Sequence, residues 1–241
     1  MVEHLFISDL HLSPQRPGTV SLFLRFLRER AVQGASLYIL GDLFDAWIGD
    51  DDSRPPIPEI VAALRQLADR GTQLFFISGN RDFLVGEAFA KASGCRLLPD
   101  TQVLTLAGSR ALLMHGDLLC SDDRDYQEWR KRLRNPVFIS DFLSKSIEQR
   151  SAIAAEYRQR SGEAVSLKAA DIVDANQDTV ESYLRAAEAL LLIHGHTHRP
   201  ANHRFELNGA PACRMVLPEW HERSGGYLSV RGDSLSRHLF V

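Results

Sequence analysis

The chain has 241 residues, 44% of them hydrophobic and 24% charged, enough apolar material for a sizeable core and too much for a disordered chain. A net charge of −3 and an isoelectric point near 6.3 argue against a general nucleic-acid binder. Three cysteines (Cys95, Cys120, Cys213) form no disulfide pattern and fit a reducing compartment. The opening residues MVEHLFISDLHLS lack the basic and apolar regions of a signal peptide, and no apolar run approaches the ~18 residues that span a bilayer. The expectation is a cytoplasmic protein, with peripheral membrane contact left open.

In chain order, residues 4–8 (HLFIS) read as a strand and 19–32 as a helix, with Val20, Phe23, Leu24, Leu27 and Ala31 at helical spacing. Residues 37–40 (LYIL) form a second strand, 57–70 a helix with Pro58 in its first turn, 74–78 (LFFIS) a third strand, and 83–93 a helix closed by Gly94. This alternation predicts an α/β fold with a largely parallel sheet. Short strands follow at 96–98, 103–106 and 111–114. Residues 121–187 contain no clear strand and at least two amphipathic helices. Strand character returns at 189–195, and the tail holds short β segments broken by Asn208-Gly209 and Gly225-Gly226, the latter read as a turn or bulge. Asp50-Asp51-Asp52 reads as a solvated loop.

Polar residues of one chemical type follow the strands: Asp9 and His11, Asp42, Asn80, His115, and His196 with His198. Ligands bind beyond the carboxyl ends of strands in open α/β sheets, so five strands are expected to deliver these residues to one sheet edge. Mixed carboxylate, carboxamide and imidazole donors suit Mn²⁺, Fe²⁺ or Zn²⁺ better than Ca²⁺. Seven donors are too many for one ion and fit two ions that share a bridging carboxylate.

The segments ISDLHLS, GDLFDAW, GNRDF, HGD and GHTH occur in the order found in the calcineurin-like metallophosphoesterases, which this chain therefore resembles from residue 7 to 198. The resemblance implies a four-layer αββα sandwich forming one domain over 1–241, with a helical lid inserted at about 122–187. It also implies one metal on Asp9, His11, Asp42 and His198 and a second on Asp42, Asn80, His115 and His196. Asp45 and Asp117 are expected to support or cap rather than bind metal, and His194 is left out of the set. Arg81 stands where many members carry a histidine read as a proton donor. An arginine cannot give up its proton but grips phosphate with a fork of donors, which favours a pyrophosphate bond whose leaving group needs no proton.

The longer segments GDLFDAWIGDD, GNRDFL, LLMHGDLLCSDDRDYQEWRKRLRN and HGHTHRP resemble the UDP-2,3-diacylglucosamine hydrolases of lipid A biosynthesis. That resemblance implies manganese-dependent hydrolysis of UDP-2,3-diacylglucosamine to UMP and the lipid product 2,3-diacylglucosamine 1-phosphate, by a protein peripheral to the cytoplasmic face of the inner membrane. It places Asn80, Arg81 and His196 among the catalytic residues and Asn80, Arg81, Asp123, Ser161, Lys168 and His196 among the substrate contacts. From Arg124 to Arg160, nine Lys or Arg and five Asp or Glu are interleaved with aromatic and aliphatic residues. This pattern fits a membrane-facing surface or an ordinary helical subdomain, and the resemblance implies a lid over a diacyl substrate. Other phosphoesterases and a non-enzymatic scaffold are the rival readings. The scaffold is disfavoured because all seven ligand positions hold competent residues.

Overall fold

The structure is a computed structural model that describes residues 2–106, 108–167 and 174–241, with the backbone alone for 160–167. The elements run β1 (Glu3–Ile7), α1 (Pro17–Glu29), β2 (Ser36–Leu40), α2 (Ile57–Asp69), β3 (Gln73–Ile77), α3 (Glu87–Ser93), β4 (Cys95–Leu98), β5 (Thr101–Leu106) and β6 (Ser109–Met114). They continue with α4 (Arg124–Leu133), α5 (Pro136–Leu143), α6 (Ile147–Leu167), α7 (Gln177–Ala186), β7 (Leu191–His194), β8 (Asn202–Leu207), β9 (Ala210–Val216), β10 (Gly225–Arg231) and β11 (Ser234–Phe240).

Strand residues point alternately to opposite faces, and here both faces are apolar. Leu5, Ile7, Leu37, Ile39, Leu74 and Phe76 meet the inner faces of α1, α2 and α3. Their neighbours Phe6, Tyr38, Leu40 and Ile77 pack instead on Ala111, Leu113, Ile193 and Met215. The second set comes from another sheet. Among the described residues the strands form a six-stranded sheet, β11-β10-β1-β2-β3-β4, and a five-stranded sheet, β5-β6-β7-β9-β8. The far face of the second sheet, with Leu112, Met114 and Leu192, is covered by Val180 and Leu184 of α7. The result is the expected αββα order. Of the 122–187 stretch, α7 belongs to the outer layer, and α4, α5 and α6 are the helices that stand outside the layers.

The register of the parallel strands sets an aromatic row between the sheets. Phe6 pairs with Tyr38 and Tyr38 with Phe75. The rings stack with centroids 5.0 and 4.6 Å apart. Offset-stacked rings contribute beyond the area they bury.

Three local expectations change. Residues 83–86 precede the third helix, which starts at Glu87 because the Asp50 carboxylate accepts the amides of Gly86, Ala88 and Phe89 at 3.0, 2.9 and 3.1 Å. The Asp50-Asp51-Asp52 run is therefore a loop in which only Asp51 stays solvated. Asp50 also takes the Trp47 indole, Asp51 pairs with Arg150 of α6, and Asp52 is buried against Arg54. Gly225 and Gly226 open β10, paired with Phe240 and Leu239, where a Cβ would stand 2.4 Å from the Trp220 ring and 2.0 Å from Pro218. Close packing, not a turn, requires them.

Losing a helix N-terminal acceptor costs about 0.5–2 kcal/mol. Asp50→Ala, which strips three amides and an indole of their partner, is expected at the upper end of that range. Urea unfolding of the variant beside the parent measures it.

Candidate metal centre

Two carboxylates and three histidines of the predicted set stand in an unusual backbone conformation. Asp9, His11, Asp42, His196 and His198 all have positive φ, between 50° and 67°. Asp, Asn and His tolerate this region better than most residues, and clusters of such strain mark functional sites. Hydrogen bonds between loops hold it in place. Beyond the strand ends, the amides of Asp9, Leu10, His11 and Leu12 continue to bond the carbonyls of Gly41, Asp42 and Leu43. The Asp82 carboxylate then receives the amides of Gly79, Asp42 and Leu43 at 2.8, 3.2 and 2.8 Å, which locks the Asp42 loop to the Asn80 loop. The glycine before Asn80 is forced by proximity, since a Cβ on Gly79 would lie 2.1 Å from Asp42 Oδ1. Gly195 is equally constrained, 2.2 Å from Asp9 Oδ2.

The predicted residues do converge, but from two sheets rather than along one edge. Asp9, His11, Asp42 and Asn80 follow β1, β2 and β3 of the first sheet, and His115, His196 and His198 follow β6 and β7 of the second. Across the seam, Asn80 Oδ1 lies 3.0 Å from both His115 Nε2 and His196 Nδ1. His11 Nε2 lies 3.4 Å from His198 Nε2, which is 3.5 Å from Asp9 Oδ1. His115 Nε2 is 3.8 Å from Asp42 Oδ1 and His11 Nδ1 is 4.0 Å from Asp42 Oδ2. Two donor groups emerge, Asp9 with His11 and His198, and Asp9 with Asp42 and His115. His194 is fully buried beside Arg214 and joins neither.

The chemistry of this set fits cations. His115 Nδ1 donates to the Leu40 carbonyl at 2.8 Å, which turns its Nε2 lone pair toward Asn80 Oδ1 and Asp42. Lone pairs facing oxygen repel unless a proton or a metal lies between them. Electrostatics shows the same demand. Burial, aided by the charges of His198 and Arg81, pushes His11 down to about 4, while its neighbour His198 is raised to about 10 because hydrogen bonds to Asp9 and Glu219 outweigh burial. Burial, with the charge of His115, pushes His196 down to about 4, and His115 is raised because Asp42 and Asp9 outweigh burial. Asp42 and Asp82 are pushed up to about 6 by burial and by neighbouring carboxylates. The centre gathers the buried carboxylates of Asp9 and Asp42 beside four histidines, a donor set that suits cations.

Around it, Arg81 donates its amide to Asp42 Oδ1 at 2.8 Å, and its side chain lines a cavity of about 730 Å³. Asp123 lines the same cavity and caps α4 through the Tyr126 amide. Asp45 pairs with Arg158 of α6. Asp117 is buried and accepts the Tyr126 hydroxyl at 2.9 Å and Arg130 Nε at 2.6 Å, so it anchors α4. The Ser161 side chain and Lys168 lie outside the described residues. Sequence reasoning assigns no role to Asp82 or Glu219. Asp82 sits inside the GNRD motif, which is a signal that could have found it. Glu219, 3.0 Å from His198 Nδ1, is a single acid in a loop with no local signal.

Burial works against the Asp117 charge, but His115, Arg130, His196 and Arg134 outweigh it and hold the carboxyl well below the usual range. A depressed carboxyl stabilises the fold above its unfolded pKa, near 4, and the benefit is lost as pH falls. Asp117→Asn is expected to cost about 1–3 kcal/mol at neutral pH. The Tm gap to the parent should narrow as pH is lowered below about 4 in thermal melts.

Known proteins match this chain in sequence over most of its length. The profile of the family described as Calcineurin-like phosphoesterase matches residues 4–200. A protein of Edwardsiella ictaluri named UDP-2,3-diacylglucosamine hydrolase is 50% identical over 236 residues, covering 98% of this chain and 90% of that one. One of the same name from Serratia proteamaculans is 48% identical over 231 residues, covering 96% of each. The solved structure of Vps29 from Chaetomium thermophilum is 15% identical with a TM-score of 0.48, covering 99% of this chain and 90% of that one. The motifs, their convergence on a cation-demanding centre and the sequence matches agree: the chain belongs to the calcineurin-like phosphoesterase family.

Proposed function

We propose that this chain hydrolyses the pyrophosphate bond of UDP-2,3-diacylglucosamine, giving UMP and 2,3-diacylglucosamine 1-phosphate. The observation that carries the reading is the cavity. Its lining combines Asn80, Arg81 and Asp123 with Trp129, Leu133, Phe138 and Phe142. A substrate that carries both phosphates and acyl chains matches this mixed lining. The names of the E. ictaluri and S. proteamaculans relatives support the choice of substrate.

One divalent cation would be held by Asp9, His11, Asp42 and His198 and another by Asp42, Asn80, His115 and His196, with Mn²⁺ suited to the mixed donors. Such ions supply water of lowered pKa and neutralise phosphoryl oxygens. The chain's own groups do the rest. Arg81 has no hydrogen-bond or ion-pair partner for its guanidinium among the described residues, which leaves its fork of donors for phosphoryl oxygens. Asn80 presents Oδ1 to His115 and His196, so its amide NH₂ is available to the same oxygens. No proton needs to reach the leaving group, because the second pKa of a phosphomonoester is about 6. Asp123, Ser161, Lys168 and His196 are assigned to the sugar, phosphate and acyl linkages.

The helices α4, α5 and α6 are assigned the role of a lid, since burying each acyl methylene contributes about 0.8 kcal/mol and a closed lid shields the phosphates from bulk water. The substrate would be met at the cytoplasmic face of the inner membrane through a peripheral contact. Trp129, Val137 and Leu143 are 42%, 78% and 41% exposed on these helices. No helix among the described residues is long and apolar enough to cross a membrane.

Purified Mn²⁺-loaded protein is expected to release UMP from the diacylated substrate. Trp129→Ser with Phe142→Ser should raise KM sharply for that substrate and leave bis-p-nitrophenyl phosphate hydrolysis almost unchanged, with the fold checked by circular dichroism. Equal losses on both substrates would remove the acyl assignment. Arg81→Ala should lower kcat by about 10²–10³ at intact metal content, with partial recovery in Arg81→Lys. An Arg81→His variant that equalled the parent would contradict the leaving-group argument.

A further inference from the structure

The three histidines that follow β6 and β7 are supported in different ways. His115 is fixed by the Leu40 carbonyl, and His196 by its amide, which donates to Asp9 Oδ2 at 2.9 Å. His198 is the least covered, with a side chain 37% exposed, and its Nδ1 is held by Glu219 Oε2 at 3.0 Å. A ring that donates from Nδ1 to a carboxylate would present a lone pair on Nε2, the atom facing His11 Nε2 and Asp9 Oδ1, once a cation displaces the Nε2 proton.

Glu219 does not reach His198 by accident of a loose loop. The segment between β9 and β10 crosses from the second sheet to the first, and it bonds the ligand-bearing loops on the way. The Leu217 amide donates to the His194 carbonyl at 2.7 Å and the Trp220 amide to the Asp9 carbonyl at 3.1 Å. Trp220 is fully buried, edge-on to Phe26 with centroids 5.3 Å apart, and its indole donates to the Gly226 carbonyl at 3.0 Å. Arg16 donates to the Trp220 carbonyl at 2.6 Å and to the Leu10 carbonyl at 3.4 Å, and lies 3.9 Å from Glu219. The carboxylate is therefore carried on a crossing strap pinned at both ends, with one oxygen on His198 and the other toward Arg16.

From this placement we infer that Glu219 is a positioning residue that selects the ring orientation of His198 and so sets the affinity of the Asp9–His11–His198 cation position, leaving the position built on Asn80, His115 and His196 almost unaffected. The inference rests on the two-cation reading above. It makes the two positions unequal in a defined way. One depends on backbone-held histidines, and the other depends on a single, partly exposed side chain outside the motifs.

The test is Mn²⁺ titration of chelator-stripped protein by calorimetry, with free Mn²⁺ followed by electron paramagnetic resonance. The parent should take up two ions. Glu219→Ala should weaken one binding step by about 10–100-fold and the other by less than about twofold. Glu219→Gln keeps an oxygen to accept from Nδ1 without the charge, so it should fall between the two. Melting of the metal-free variants should fall only slightly below the parent, because the strap is held by backbone bonds and Trp220 and the Glu219–His198 pair is partly exposed. Two unchanged steps in Glu219→Ala would overturn the inference. So would equal weakening of both steps, or equal losses in the Ala and Gln variants, which would point to strap packing rather than to the carboxylate. A parent that takes up fewer than two ions would instead refute the two-cation reading, a result distinct from a two-ion parent whose variants behave like it.

Discussion

Carboxylates gathered away from water dominate this structure. Asp9, Asp42, Asp82 and Asp117 are each 2% exposed or less. Burying unpaired charge is expensive, so the surroundings must supply positive charge or amide donors. Asp82 is answered by backbone amides and Asp117 by Arg130 and Tyr126. Asp9 is answered by His198 and the His196 amide, and Asp42 by His115, His11 and the Arg81 amide. The loops, the glycines that let them approach and the strained backbone of five candidate ligands follow from that requirement.

The same logic explains the covering helices. Their basic residues read, in one dimension, as a possible surface for anionic lipid. In the fold, much of that charge points inward. Arg130 bonds Asp117 and Asp100, Arg134 bonds Asp100 and the Gly79 carbonyl, Arg150 bonds Asp51 and the Ile48 carbonyl, and Arg158 bonds Asp45. Guanidinium groups with several fixed donors suit such bridging. The helices are fastened to the loops that carry Asp42 and Asn80, and Trp129, Val137 and Leu143 stand exposed on them among charged residues such as Glu128 and Lys131.

Much of this is legible in the amino-acid sequence. The candidate ligands stand out because each follows an apolar strand, and strand ends are where open α/β sheets gather function. The assignment of strands to sheets is not legible. β3 and β6 have similar apolar character, and the pattern within a strand does not say which partner it takes. The Asp50 run misleads because its partners lie far along the chain, Asp51 meeting Arg150 and Asp50 meeting Phe89. Gly225-Gly226 misleads because a glycine pair signals a turn locally, whereas here Trp220 and Pro218 occupy the space of a side chain. Glu219 carries no signal at all, since its meaning depends on where β9 hands over to β10.

The inter-loop bonds that hold positive φ at Asp9, His11 and Asp42 run between backbone groups. They do not require the ligand side chains. The Asp9 and Asp42 carboxylates also hold the His196 and Arg81 amides, so the frame is separable from the histidines rather than from the carboxylates, and a descendant could lose an imidazole by one substitution while these loops kept their shape. In such a lineage the carboxyl edge would survive as a preformed platform, open to recruitment for binding after hydrolysis had gone.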